Sequence, residues 1–173
     1  DDVERVGLAE GDDVAEVAGY SAYLHPIGDG LLLGVGQDVP AQGRAVRLGT
    51  QLSVFDVGDP SNPSRLSQIA LGTGQSPAEY DHHAFLWWPS EHLAVIPVVS
   101  YGGGSGPRVV EPTQAIVGFT VTREGISERG RVPVTALAAA RSVVVGDRLL
   151  AVDPAGIVSA DLATFAETAR LAF

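Results

Sequence analysis

The feature that most constrains this chain is a unit of two consecutive β-hairpins that occurs three times. In the first copy, Ser21-Ala22-Tyr23-Leu24-His25 leads through Ile27-Gly28-Asp29-Gly30 into Leu31-Leu32-Leu33-Gly34-Val35. In the second, His83-Ala84-Phe85-Leu86-Trp87 leads through Pro89-Ser90-Glu91-His92 into Leu93-Ala94-Val95-Ile96. In the third, Ser142–Val145 leads through Gly146-Asp147-Arg148 into Leu149–Val152. Each copy sets two β-rich runs around a short polar turn, the signature of a hairpin. A second hairpin follows each first one: Leu52–Val57 with Arg65–Leu71, Ala115–Val121 with Ser127–Val134, and Gly156–Leu162 with Thr164–Ala172.

Four strands per unit, with units about 60 residues apart, predict an all-β fold of β-propeller type with about three four-stranded antiparallel blades. The blades are expected at 20–81, 82–139 and 140–173 of one propeller domain, with 1–19 a remnant of a preceding blade or a linker. Blades stack face to face, so both faces of a sheet are covered and strands lose clean alternation. Leu31–Val35 and Leu93–Val99 have that continuous apolar character. A stack ends on uncovered faces unless a ring closes it. The three blades are therefore expected to be part of a larger ring, completed by the rest of the same polypeptide. The start at Asp1-Asp2-Val3 reads as cut from something longer.

Composition removes several classes of function. Hydrophobic residues at 45% and charged residues at 18% exclude disorder as the main state. The net charge of −10, with 11 basic against 21 acidic residues, opposes binding to nucleic acid or to anionic membranes. Without cysteine there is neither a disulfide nor a thiolate metal site in these residues. No apolar run approaches the roughly 18–20 residues of a bilayer-crossing helix, so no transmembrane segment is expected.

Three stretches carry a family resemblance: Tyr20–Gly30, Gly34-Val35-Gly36-Gln37-Asp38 and Ala78–Leu86. They resemble the bacterial, especially actinobacterial, secreted β-propeller-domain proteins, which are distantly similar to WD-type repeats. Val54–Pro63 also resembles the Asp-Pro turn of LVIVD-type propeller repeats. The resemblance covers about Tyr20 to Phe173 and implies a secreted or cell-envelope-associated protein. It implies no activity.

In a propeller the loops joining strands B to C share one face with those joining D to the next A. Gln37–Thr50 and Ser100–Thr113 are long B–C loops, and Gly72–Asp81 is a D–A connection on the same side. Long loops on one face of a rigid scaffold are where binding sites gather. The residues singled out there are Tyr80, Asp81, His82, His83, Gln37, Arg44, Tyr101 and Arg108.

The most pointed cluster is Tyr80-Asp81-His82-His83, at the entry to an innermost strand. Two imidazoles and a carboxylate can ligate zinc, copper or iron. Neighbours on a strand point to opposite faces, so His82 and His83 are not expected to share one ion. Hydrogen bonds that link blades are the favoured reading, and Asp81, His82 and His83 are the metal-ligand candidates otherwise. No cofactor is required by the sequence; a divalent metal is the one this cluster could take. His25 and His92 read as turn residues on the opposite face. Asp59 reads as the first residue of an Asp-Pro turn rather than a calcium ligand.

Gly102–Pro107 lacks the lysine of a phosphate loop, and neither Ser100 nor Ser105 sits in a Gly-x-Ser-x-Gly elbow. With no nucleophile–base motif, the expected function is a non-catalytic binding or scaffolding module that meets a protein or glycan through its long-loop face. The alternative is a metal-dependent enzyme at the channel mouth using Asp81 and one of His82 or His83.

Overall fold

The computed structural model describes residues 19–38, 49–101, 112–135 and 140–173. Arg44 and Arg108 lie outside these residues, as do most of the two long B–C loops. The described residues form three antiparallel sheets. The first is β1 (Tyr20–Gly28), β2 (Leu31–Asp38), β3 (Gly49–Asp56) and β4 (Ser64–Ala70), in that order. The second has β5 (Gly74–Gln75) and β6 (Leu86–Trp88) sharing one edge, then β7 (Leu93–Ser100), β8 (Thr113–Thr122) and β9 (Gly125–Pro133). The third is β10 (Arg141–Val145), β11 (Arg148–Asp153), β12 (Gly156–Asp161) and β13 (Glu167–Ala172). These are the expected three blades of four strand positions each. Among the described residues no helix is long and apolar enough to cross a membrane.

Local chemistry sets the turns. Gly28 at the end of β1, and Asp29 and Gly30 between β1 and β2, all have positive φ. A side chain on Gly30 would meet Gly58 Cα at 2.8 Å, because that turn lies against the next hairpin's loop. In that loop Asp59 accepts the Ser61 backbone N–H at 2.9 Å, so the Asp-Pro segment is a self-capped turn.

The middle sheet is covered on both sides. Ala94, Ile96, Val98, Val117, Phe119 and Val121 pack toward the first sheet against Leu33, Val35, Leu52 and Val54. Leu93, Val95 and Ile116 pack the other way, against Leu149, Ala151, Val158, Ala160 and Phe165 of the third. This two-sided burial is why Leu93–Val99 reads as an unbroken apolar run. On β6, Trp87 joins the first layer and Trp88 the second, as strand alternation requires.

The inner edge of the second sheet departs from the expected pattern. His83-Ala84-Phe85 does not begin a strand; His82–Ala84 is a 3-10 turn, and β6 starts at Leu86. The edge strand begins earlier, at β5, where Gly74 and Gln75 pair with Ser100 and Val99. It resumes only at Leu86–Trp88 opposite Val95–Leu93. The second sheet thus takes its first strand from upstream of position 82. Between the two short strands, residues 76–85 leave the sheet.

Pro97 accounts for the gap. Within β7 it has no N–H to offer an inner neighbour. Its carbonyl accepts the Ser76 hydroxyl at 2.7 Å instead.

Candidate functional site

The excursion is built by two successive caps. Ser76-Pro77-Ala78-Glu79 is a capping box: the Ser76 hydroxyl accepts from the Ala78 N–H at 3.2 Å, and Glu79 accepts from the Ser76 N–H at 2.9 Å. Asp81 then caps the His82–Ala84 turn, accepting the His83 N–H on Oδ1 at 3.0 Å. Short polar residues that cap the backbone satisfy donors in a segment that has left the sheet ladder.

The same side chains reach all three sheets. Glu79 also accepts from Gln37 Nε2 at 2.9 Å and from the Thr50 hydroxyl at 3.5 Å, both in the first sheet. Asp81 Oδ2 accepts from Arg141 Nη2 at 2.6 Å, at the start of the third sheet. Phe85 packs on Tyr23 and His25 of the first sheet, with ring centroids 5.2 and 4.8 Å apart. Ser76 ties the segment to the second sheet through Pro97. The segment is a stitch across the inner edges; within Tyr80–His83 it is Asp81 whose side chain bonds another sheet, through Arg141, while His83 bonds Asp81.

Asp81 is the electrostatic centre. The His83 N–H holds its carboxyl below the usual carboxylate range, with Arg141 and the His83 ring adding to the effect. His83 Nδ1 stands 3.2 Å from Asp81 Oδ1. The His82 and His83 rings lie 3.9 Å apart, tilted by 36°. One ligand atom from each of Asp81, His82 and His83 can be chosen so that all three lie within 4.8 Å of one another. The expectation that the two histidines face away from each other fails for a physical reason: a 3-10 turn advances about 120° per residue, where a strand alternates by about 180°.

Other candidates fall into place around this centre. Tyr80 is 75% exposed beside it. Gln37 is held by Glu79. Tyr101 donates its backbone N–H to the Thr73 carbonyl at 2.9 Å. Gln37 and Tyr101 share the end of the stack from which 39–48 and 102–111 run, since Gln37 pairs with Tyr20 and Thr50, and Ser100 with Gly74 and Thr113.

His92 does lie in the β6–β7 turn, in left-handed conformation. His25 does not lie in a turn. It is a half-buried β1 residue between Tyr23 and Phe85, takes a 3.0 Å hydrogen bond with the Tyr23 hydroxyl, and has its pKa lowered by burial.

Sequence reasoning missed two residues. Glu79 and Arg141 complete the stitch; the Ser76–Glu79 capping box was a readable signal for the first, while the second is 60 positions from its partner.

Comparison with known proteins bears on the fold rather than the chemistry. An uncharacterized protein of Methanocaldococcus jannaschii is 34% identical over 86 residues, which cover 50% of this chain and 13% of that protein. The chain therefore spans a small part of the length of this archaeal relative. No solved structure matches the chain. The beta propeller domain family matches over residues 14–165. With three stacked four-position sheets and a match over most of its length, the chain belongs to the beta propeller domain family.

Proposed function

We propose that this propeller module works outside the cytoplasm as a non-catalytic docking surface, and that its ligand is a protein held at the end of the stack carrying Gln37 and Tyr101. The observation that carries the reading is where the strands end: β2 and β3 at Asp38 and Gly49, β7 and β8 at Ser100 and Thr113, and the β4–β5 connection at 71–73 all lie at that end. A rigid stack presenting several connections on one face is a scaffold for recognition. Protein is favoured over glycan because Trp87 and Trp88 are both occupied in the layers between sheets, leaving neither as a free sugar platform.

Location outside the cytoplasm rests on the resemblance of Tyr20–Gly30 and Ala78–Leu86 to exported bacterial propeller proteins, and of Val54–Pro63 to LVIVD-type repeats. Further blades of a larger ring fit the outer sheets. Tyr20 and Leu24 on the first sheet, and Val143, Val145 and Leu171 on the third, are exposed apolar residues.

The test is retention of envelope-fraction proteins on immobilised protein. Replacing 39–48 and 102–111 by short glycine linkers is expected to abolish retention. Protease treatment of the fraction is expected to do the same, whereas loss on periodate treatment instead marks a glycan. Unchanged retention after both replacements removes this face from consideration.

A metal-dependent reaction at the inner edge is the second reading. One observation favours it, the convergence of donors from Asp81, His82 and His83.

A further inference from the structure

We propose that Asp81, His82 and His83 form a surface site for one divalent first-row transition cation, with zinc as its best fit. The geometry at Asp81 is the starting point. Asp81 Oδ1 and His83 Nδ1 stand 3.2 Å apart. Two donors on one tetrahedral zinc, with bonds of about 2.0–2.1 Å, lie about 3.3 Å apart. The pair is therefore already at ligand-to-ligand spacing. A nitrogen of His82 completes a set whose members all lie within 4.8 Å of one another. Small rotations of exposed rings close the remaining distance.

Three features hold the set open to an ion. The backbone N–H of His83 fixes Asp81 Oδ1 at the head of the turn, beside the His83 ring. Arg141 takes Oδ2 at 2.6 Å, an outer partner that orients the carboxylate and leaves Oδ1 on the histidine side. Both histidines are exposed, so an ion enters without rearrangement of the core. Two imidazole nitrogens with one carboxylate oxygen suit zinc, nickel or copper(II); calcium and magnesium want oxygen ligands in larger number. Three protein donors leave a coordination position for water or for a side chain of a bound partner.

This site does not depend on the docking reading, because the loop replacements leave all three donors in place. It supplies the ion that the metal-dependent reading needs, and binding alone is the readout, so absence of turnover bears only on catalysis.

The experiment is titration of the intact chain with zinc chloride by calorimetry, with magnesium and calcium chloride as parallel arms. Cobalt(II) absorption reports the coordination geometry. The wild-type chain is expected to bind one equivalent of zinc and to ignore both hard cations. His82→Gln and His83→Gln are each expected to weaken zinc binding at least ten-fold, whereas His92→Gln, remote from the cluster, is expected to leave it unchanged. Both cluster substitutions lie on exposed side chains, and circular dichroism checks that the β-fold is kept. Zinc binding that is absent in the wild type, or that persists at wild-type strength in either cluster variant, overturns the site.

Discussion

Phe165 presses the tip of its ring onto Gly118: a side-chain carbon at Gly118 would overlap Cζ, Cε1 and Cε2 of that ring. Gly130, the register partner of Gly118 across β8 and β9, forms the other half of the seat; a Cβ there would lie 2.6 Å from Phe165 Cβ. Phe165 reaches it from the β12–β13 loop at φ 60°, a strained conformation for a residue other than glycine, and is 3% exposed. Ring burial in a seat without side chains offsets that strain. Gly118→Ala is accordingly expected to destabilise the fold by about 1–3 kcal/mol through overpacking. The cost should shrink in a Phe165→Leu background. Urea unfolding of the double-mutant cycle measures the coupling, and additive costs would show that the ring does not sit there.

Asp153 joins the third sheet to the connection that precedes it. Its Oδ1 accepts the Ala155 and Gly156 N–H groups at 2.8 and 3.0 Å, and its Oδ2 accepts the Thr135 N–H and hydroxyl at 2.9 and 3.1 Å. Removing the carboxylate strands buried donors, each costing about 1–3 kcal/mol. Asp153→Ala should therefore destabilise strongly. Asp153→Asn should do so nearly as much, because an amide NH₂ cannot accept on the second side. Denaturant midpoints of the two variants decide the point.

Ser76→Ala removes a cap and leaves the Pro97 carbonyl without its hydroxyl donor. A loss of about 1–2 kcal/mol is expected from the cap. Amide exchange should accelerate through residues 77–85 more than in β7. Uniform acceleration of both would mean that the segment is not an independently capped unit.

His25 gives a pH dependence of known sign. Burial lowers its folded pKa, so the unfolded chain takes up the proton first as the solution is acidified. Its contribution to stability is complete above about pH 6.5, the unfolded value, and is lost as pH falls from there through the folded pKa. His25→Phe keeps an aromatic between Tyr23 and Phe85. The wild type minus variant difference in unfolding free energy should decline between pH 7.5 and pH 5. A flat difference would mean that the imidazole is solvated in the folded state.

Much of the fold was legible because hairpins are local. The turn residues and apolar runs of each hairpin are close neighbours in the chain, and the opposite placement of Trp87 and Trp88 follows from strand alternation alone. The interrupted inner strand was half-legible. Pro97 inside an apolar run and Ser76-Pro77-Ala78-Glu79 ahead of it are both signals against a continuous edge strand, yet each has an ordinary reading when taken separately. Their meaning appears only when β7 places the Pro97 carbonyl opposite the Ser76 hydroxyl.

By itself the order of residues determined the repeat, the strands and the two-sided burial of the middle sheet, since these depend on periodicity and turn chemistry over short spans. Only the tertiary structure decided that Asp81 lies against Arg141, Glu79 against Gln37, and both histidines on one side of a tight turn. The Glu79–Gln37 and Asp81–Arg141 contacts join residues 42 and 60 positions apart, and they arise when apolar faces stack to leave water. That packing is non-directional, so the polar partners it brings together are a product of the whole assembly rather than of any one segment.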